Sequence, residues 1–314
     1  MSNYNVIAGL KIKYLSADPP SPENGQVWYN STLNNLRVEG VVGTGAWASG
    51  GAVGTARTTA GAGTQTANVI MGGQGPTSNV EEYNGSSWSE VNNMPYVASN
   101  LGGTGIQTAA IAFGGYYNVS TSAHYDGTNW TSGGSLNTGR EIAAGGVGIQ
   151  TAALAVGGYI REPGGTNKVE QYNGSSWSNA PTLNSALYGR CGSGTTSAAL
   201  AGGGNPNTTA TEEYNGSSWS TVNARPYAGG SAMGSGTQTA ALNYGGNPSG
   251  AVTTTVSYDG TNWSAESAMS TARSMGGGSP AGTSSLALAS TGSPGGTATE
   301  EFTAPSGTAN ITSS

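Results

Sequence analysis

The sequence has one cysteine, one histidine and three lysines in 314 residues, and each scarcity excludes something. With Cys191 alone, no intrachain disulfide can form, and a lone cysteine is read as a small buried residue. With His124 alone, a Ser-His-Asp triad would have to use that one imidazole, and no G-x-S-x-G elbow accompanies it. Charged residues make up only 8% and the net charge is −6, so there is no basic face for nucleic acid. No segment approaches the roughly 18 apolar residues of a membrane span, and Met1–Tyr14 has no continuous apolar stretch of the secretory-leader kind, so neither membrane insertion nor a signal peptide is expected. What the chain has in abundance is 54 glycines, together with seven Trp and 15 Tyr. Disordered chains lack aromatics at regular spacing, so this composition predicts an all-β fold with many tight turns.

The spacing is a repeat. Trp recurs at 47, 88, 130, 177, 219 and 263, at intervals of 41 to 47 residues. Five residues before each of the last five stands a tyrosine, in YNGSSW at 83–88, 172–177 and 214–219 and in YDGTNW at 125–130 and 258–263. Asn-Gly or Asp-Gly between aromatic strands predicts a hairpin with a type I′ turn. Upstream lies a second motif: GTQTA at 63–67, GIQTA at 105–109 and 148–152, GTTSA at 194–198, GTQTA at 236–240 and GTSSL at 282–286. Nine residues beyond its first glycine comes the first glycine of a pair, at Gly72, Gly114, Gly157, Gly203 and Gly245, with Thr291 in the sixth unit. The apolar runs between motif and pair, such as Ala109–Phe113, read as strands buried on both faces. Each unit thus gives four strands: a small-residue first strand, an apolar second ending in Gly-Gly, a third with the Tyr and a fourth with the Trp.

Four strands in 40 to 50 residues is a propeller blade. A Gly-Gly after a hydrophobic strand, then Tyr, then Trp, resembles the kelch repeat over roughly 48–308. The arginine that often opens a kelch first strand occurs only in places, as Arg57, Arg140 and Arg273. The expected fold is all-β: a six-bladed kelch-like β-propeller over residues 37–314 with a short N-terminal arm over 1–36. The last unit has Glu300, Glu301 and Phe302 but no following Trp, whereas Trp47 has no unit before it. Val41–Ser49 is therefore expected to supply the final fourth strand and close the ring, with Ala309–Thr312 as the alternative.

In the arm, Asp18–Gly25 reads as a stiff linker and Gln26–Glu39 as a hairpin. Its stretch GQVWYNSTLNNLRV resembles a segment common in structural proteins of tailed bacteriophages. That resemblance implies a multicopy virion protein that reaches other virion proteins through the arm. A secreted bacterial lectin or adhesin is the other reading.

Little material for catalysis is present, so neither an enzyme nor a cofactor is expected. Kelch-type copper oxidases need several His and Tyr ligands, and one His is too few. His124 stands where other units have Glu82, Gln171, Glu213, Ser257 and Glu301, and reads as a solvent-facing strand residue. Glu81, Glu170, Glu212 and Glu300 recur in register and read as a solvated or turn-bonded row. Asp126 and Asp259 replace the turn Asn of other units. Binding is expected on the face carrying the loops after the second and fourth strands, which differ between units. Those loops hold Tyr96, Tyr116, Tyr117, Tyr159, Arg161, Tyr188, Arg190, Arg225 and Tyr227. Tyr and Arg anchor interfaces and aromatics stack on sugar rings, so the expected partner is a protein receptor or a host-surface glycan.

Overall fold

The computed structural model describes residues 3–7, 10–20, 26–41, 44–142, 146–294 and 296–310. Residues 21–25 of the expected linker, 42–43 of the expected closing strand and 311–312 of its alternative lie outside them. Among the described residues every regular element is a strand. Contacts divide the chain into two compact units, Met1–Ala46 with Ala304–Ser314, and Trp47–Thr303.

The smaller unit is one five-stranded sheet in the order Asn3–Ile7, Leu10–Leu15, Val27–Asn30, Asn35–Val41, Ser306–Asn310. Asn35–Val41, which straddles the residue-36 boundary read from the sequence, pairs with Val27–Asn30 on one side and Ser306–Asn310 on the other. Asp18 organises the interior. One carboxylate oxygen accepts from Trp28 Nε1 (2.9 Å) and Asn30 Nδ2 (2.8 Å), and the other meets Arg37 at 3.1 Å. These donors, Asn30 first, hold its carboxyl below the usual range.

The larger unit is a propeller-like set of antiparallel sheets, all but the last built from one sequence repeat. Five have four strands in chain order, over 60–91, 102–132, 146–180, 191–222 and 233–266. A two-residue hairpin, Tyr159–Ile160 with Gly164–Gly165, is inserted in the third. The sixth sheet has the order Leu286–Ser290, Thr299–Thr303, Ala46–Ser49. Gly50 N–H donates to Thr299 O there (2.9 Å), and a single bridge, Gly277 to Ser290, stands where the others have a first strand.

The hairpin between third and fourth strands differs from the type I′ expectation. Tyr83 pairs with Trp88, so four residues make the turn. Asn84 Oδ1 accepts from Ser86 N (3.0 Å) and Ser87 N (2.9 Å), and only Gly85 takes a positive φ, 90°. A side-chain acceptor replaces the second left-handed residue. Asp126 does the same for Thr128 N (2.8 Å) and Asn129 N (2.7 Å).

First strands of successive sheets pack backbone against backbone. A Cβ on Gly146 would lie 2.4 Å from Gly103 O, and one on Gly61 2.3 Å from Gly278 O, so the first sheet meets the last as the third meets the second. The axial cavity they leave is about 30 Å³, room for a water or two. Farther out, polar latches tie each sheet to the one before. Gln107 Nε2 donates to Asn68 O (3.0 Å) and Tyr83 O (2.8 Å), and Gln65 Nε2 donates likewise to Ala287 O (3.3 Å) and Phe302 O (2.6 Å). Gln150 and Gln238 repeat the contact. The Tyr83 hydroxyl donates to Glu301 (2.6 Å) and Tyr258 to Glu213 (2.8 Å). His124 fills the same position: its Nε2 and the Tyr172 hydroxyl are 2.8 Å apart, so it is a half-buried seam residue and not a solvent-facing one.

The row of glutamates is also not solvated. Glu81, Glu170, Glu212 and Glu300 are all at most 3% exposed and meet Arg57, Arg140, Arg190 and Arg273 at 2.5 to 2.7 Å. Each carboxylate also accepts backbone N–H groups from the loop entering its own sheet, such as Asn137 N (2.6 Å) and Thr138 N (3.2 Å) at Glu170. The pair thus pins that loop to the third strand. Sheets two and five carry Ala123 and Val256 at this position, both buried, in line with the near-equivalence of a buried ion pair and an apolar filling.

Removing one partner alone is different. Glu170→Ala is expected to cost about 3–5 kcal/mol, because Arg140 stays buried and unpaired. Urea unfolding measures this; a loss under about 1 kcal/mol would mean the pair behaves like a surface one. Burial holds the His124 imidazole below its usual range. Between its folded value and about 6.5 the unfolded chain binds the proton and the folded chain does not, so stability rises with pH there. His124→Gln, the residue found at Gln171, is expected to flatten that slope in melts between about pH 5.5 and 7; an unchanged slope would assign it to another group.

Candidate binding face

Each of the first five second strands ends in a glycine pair with positive φ, as in Gly72 (64°) and Gly73 (151°). The pair turns the chain out of the sheet. A Cβ on Gly72 would come within 2.8 Å of Ala98 O, so no side chain fits. The next residue varies between sheets, with four residue types at six positions: Gln74, Tyr116, Tyr159, Asn205, Asn247 and, after Thr291-Gly292, Ser293. Single bridges hold four of them against the loop entering the same sheet: Glu141 to Tyr159, Tyr188 to Asn205, Gly230 to Asn247 and Ser274 to Ser293.

These two sets of loops surround a basin with two lobes of about 410 and 230 Å³, which share Asn100, Asn247 and Met275. Asn100, Ser231 and Met275 line it in the left-handed region, at φ 53°, 60° and 53°. Glu141 is the one charged side chain among the lining residues. Its Oε2 accepts from Asn100 Nδ2 (2.9 Å). Burial pushes its carboxyl above the usual range, opposed by that bond and by Arg161. The lining offers amides, hydroxyls, aromatic rings and one carboxylate: donors, acceptors and stacking surfaces for a polar ligand. Among the described residues no cluster of three or more His, Cys, Asp or Glu is placed to hold a metal ion.

The nine residues expected on this face separate into two groups. Tyr116 and Tyr117 meet edge to face at 4.3 Å between centroids, and Arg161 lies over both rings, 4.3 Å from Tyr117 and 5.4 Å from Tyr116. Tyr159 and Tyr188 form a second pair at 5.0 Å. Tyr116 lines the larger lobe and Tyr188 the smaller. These five present a surface. Arg190 and Arg225 do not: both are buried, which corrects their expected place on the face. Arg190 pairs with Glu212 and donates to Ala201 O (3.0 Å), whereas Arg225 lies 4.4 Å from the Tyr227 ring and donates to Gly229 O (2.5 Å). In a chain with so few charges, a loop arginine is needed to hold loops to strands. Tyr227 donates to Gly245 O (3.0 Å), and burial pushes its hydroxyl up to about 12. Tyr96 packs against the core of the first two sheets with its hydroxyl buried.

Gln74, Asn100, Glu141, Asn205, Asn247 and Ser293 were not singled out from the sequence. The signal was there for four of them: Gln74, Asn205 and Asn247 follow a glycine pair, and Ser293 follows Thr291-Gly292 at the equivalent place. Asn100 and Glu141 sit in entering loops of variable length and carry no such marker.

Arg161→Ala and Tyr117→Ala are each expected to change stability by no more than about 0.5 kcal/mol, since both side chains are exposed. Arg190→Ala is expected to cost about 3–5 kcal/mol. Thermal melts of the three variants check the division, and equal losses would overturn it. Compared with models of known protein families and with curated proteins, the chain matches none.

Proposed function

We propose that the larger unit is a six-bladed kelch-like propeller, closed by Ala46–Ser49 as the fourth strand of the last blade. The identical Gln latches at Gln65 and Gln107 and the backbone approach of Gly61 to Gly278 support that reading. We further propose that the protein is a non-enzymatic structural component of a tailed-phage particle, displayed in many copies, which presents the loop face to a receptor or host-surface glycan. The observation carrying the binding role is the basin: a repeated frame whose residue after the glycine pair changes among Gln, Tyr and Asn, with Ser at the equivalent place in the last unit. A scaffold this regular has no need of such chemical variety at one ring of positions unless that ring meets a partner.

The particle role rests on the arm stretch GQVWYNSTLNNLRV and its likeness to phage structural proteins. That stretch lies in a unit compact by itself, with Trp28 fully buried, as an attachment module requires. Many copies on a particle turn weak single contacts into firm adhesion.

Immunogold labelling of purified particles from the source tests the location. Gold at a defined site supports the proposal; protein found only in the medium or on cells would replace it with a secreted adhesin. The triple variant Tyr116→Ala, Tyr159→Ala, Arg161→Ala is expected to weaken attachment to the partner surface by at least about tenfold while still melting cooperatively. Unchanged attachment would move binding off this face.

A further inference from the structure

The side chains of Asn205 and Asn247 make no hydrogen bond to protein among the described residues, although both are half-buried at the wall of the basin. Their backbones are fixed. Asn205 exchanges hydrogen bonds with Tyr188 (2.8 and 3.3 Å), and Asn247 N–H donates to Gly230 O (2.9 Å). Glycines leave room for the first amide: a Cβ on Gly230 would come within 2.5 Å of Asn205 Nδ2. Two amides on fixed backbones, each with a free donor and a free acceptor, thus line the smaller lobe of about 230 Å³, and Asn247 also lines the larger one of about 410 Å³, which lies inside the roughly 300–1,000 Å³ range of small-molecule sites.

The chemistry around them narrows the ligand. A carboxylate, phosphate or sulfate would meet Glu141 and find no cation among the lining residues of either lobe, so an anion is disfavoured. A purely apolar ligand would strand the amides and hydroxyls. An amide presents one donor and one acceptor side by side and so matches a pair of adjacent hydroxyl groups, each of which both gives and accepts. Glu141 is an acceptor for a further hydroxyl, and the rings of Tyr116 and Tyr188 supply flat apolar faces.

We propose that the basin binds one uncharged sugar residue of a glycan, with Asn205 and Asn247 as its hydroxyl-recognising groups. This deepens the loop-face reading and rests on it, but it does not depend on the protein's being part of a virus particle. The site is weak alone, on the order of millimolar, and gains strength from display in many copies.

The test uses the full chain. Saturation-transfer NMR with the methyl glycosides of glucose, galactose, mannose and N-acetylglucosamine is expected to show transfer to at least one of them. Methyl glucuronide and sialic acid are the charged comparators and should show none. Asn247→Ala and Asn205→Ala are each expected to reduce binding at least about tenfold with an unchanged melting temperature. Asn247→Asp, which keeps the shape and loses the donor, should weaken it as well. Transfer to none of the neutral sugars, transfer only to the charged ones, or binding indifferent to all three variants would each overturn the proposal. Particle labelling reads the location independently: labelled particles with a silent basin would leave the structural role standing and remove the sugar.

Discussion

Backbone-to-backbone packing at the axis governs the rest of this structure. Where a Cβ on Gly61 would lie 2.3 Å from the Gly278 carbonyl oxygen, no side chain fits, and the side chains that do cross between first strands are short ones such as Thr104, which donates to Gly148 O (2.6 Å), and Ser193, which donates to Ser235 O (3.2 Å). The first strands are rich in glycine and other small residues, with larger ones such as Val147 and Met233 among them, and the axial space closes to about 30 Å³. Cohesion must come from farther out, where neighbouring sheets diverge and side chains fit between them. The Gln latches, the hydroxyls of Tyr83, Tyr172 and Tyr258 and the Trp indole N–H groups supply it, reaching back to the preceding sheet. A single hydrogen bond of this kind is worth about 1 kcal/mol net, so cohesion between sheets depends on repetition and not on any one contact.

The same economy explains the charges. A chain with 8% charged residues places four glutamates and five arginines out of water, four of the arginines paired with those glutamates. Each pair joins an entering loop to a third strand, and each carboxylate is further satisfied by backbone N–H groups, the condition under which burying an ion pair does not destabilise. Exposed surface is left to Ser, Thr, Asn and Gly, with solubility resting on neutral polar groups and a modest negative net charge.

Fixing the loops in this way leaves one ring of positions free to vary. The glycine pair ends every second strand but the last in the same backbone geometry, and the residue after it is carried to the basin whatever its chemistry. Gln74, Tyr116, Asn205, Asn247 and Ser293 therefore line the basin without altering the sheets beneath. Separating an unvarying frame from a varied rim lets a repeat protein change its partner without changing its fold.

The all-β class, the four strands per repeat and the faces on which the loops gather were legible in the sequence, because they follow from local pattern: Trp spacing, apolar runs and glycine pairs. The turn at Asn84–Ser87 was read in the right place with the wrong geometry, since Asn-Gly serves both a two-residue turn and a longer one held by a side-chain oxygen. Burial of the charged residues was not legible. Glu170 looks the same in a string whether it faces water or Arg140, and Arg190 looks like a surface anchor until Glu212 is found beside it. The sequence by itself determined which strands form and in what order, because those choices depend on neighbours along the chain. Only the tertiary structure decided which polar groups are paired and which are left open, as at Asn205 and Asn247, because those partners come from loops 15 to 30 residues away or more, and no local rule brings them together.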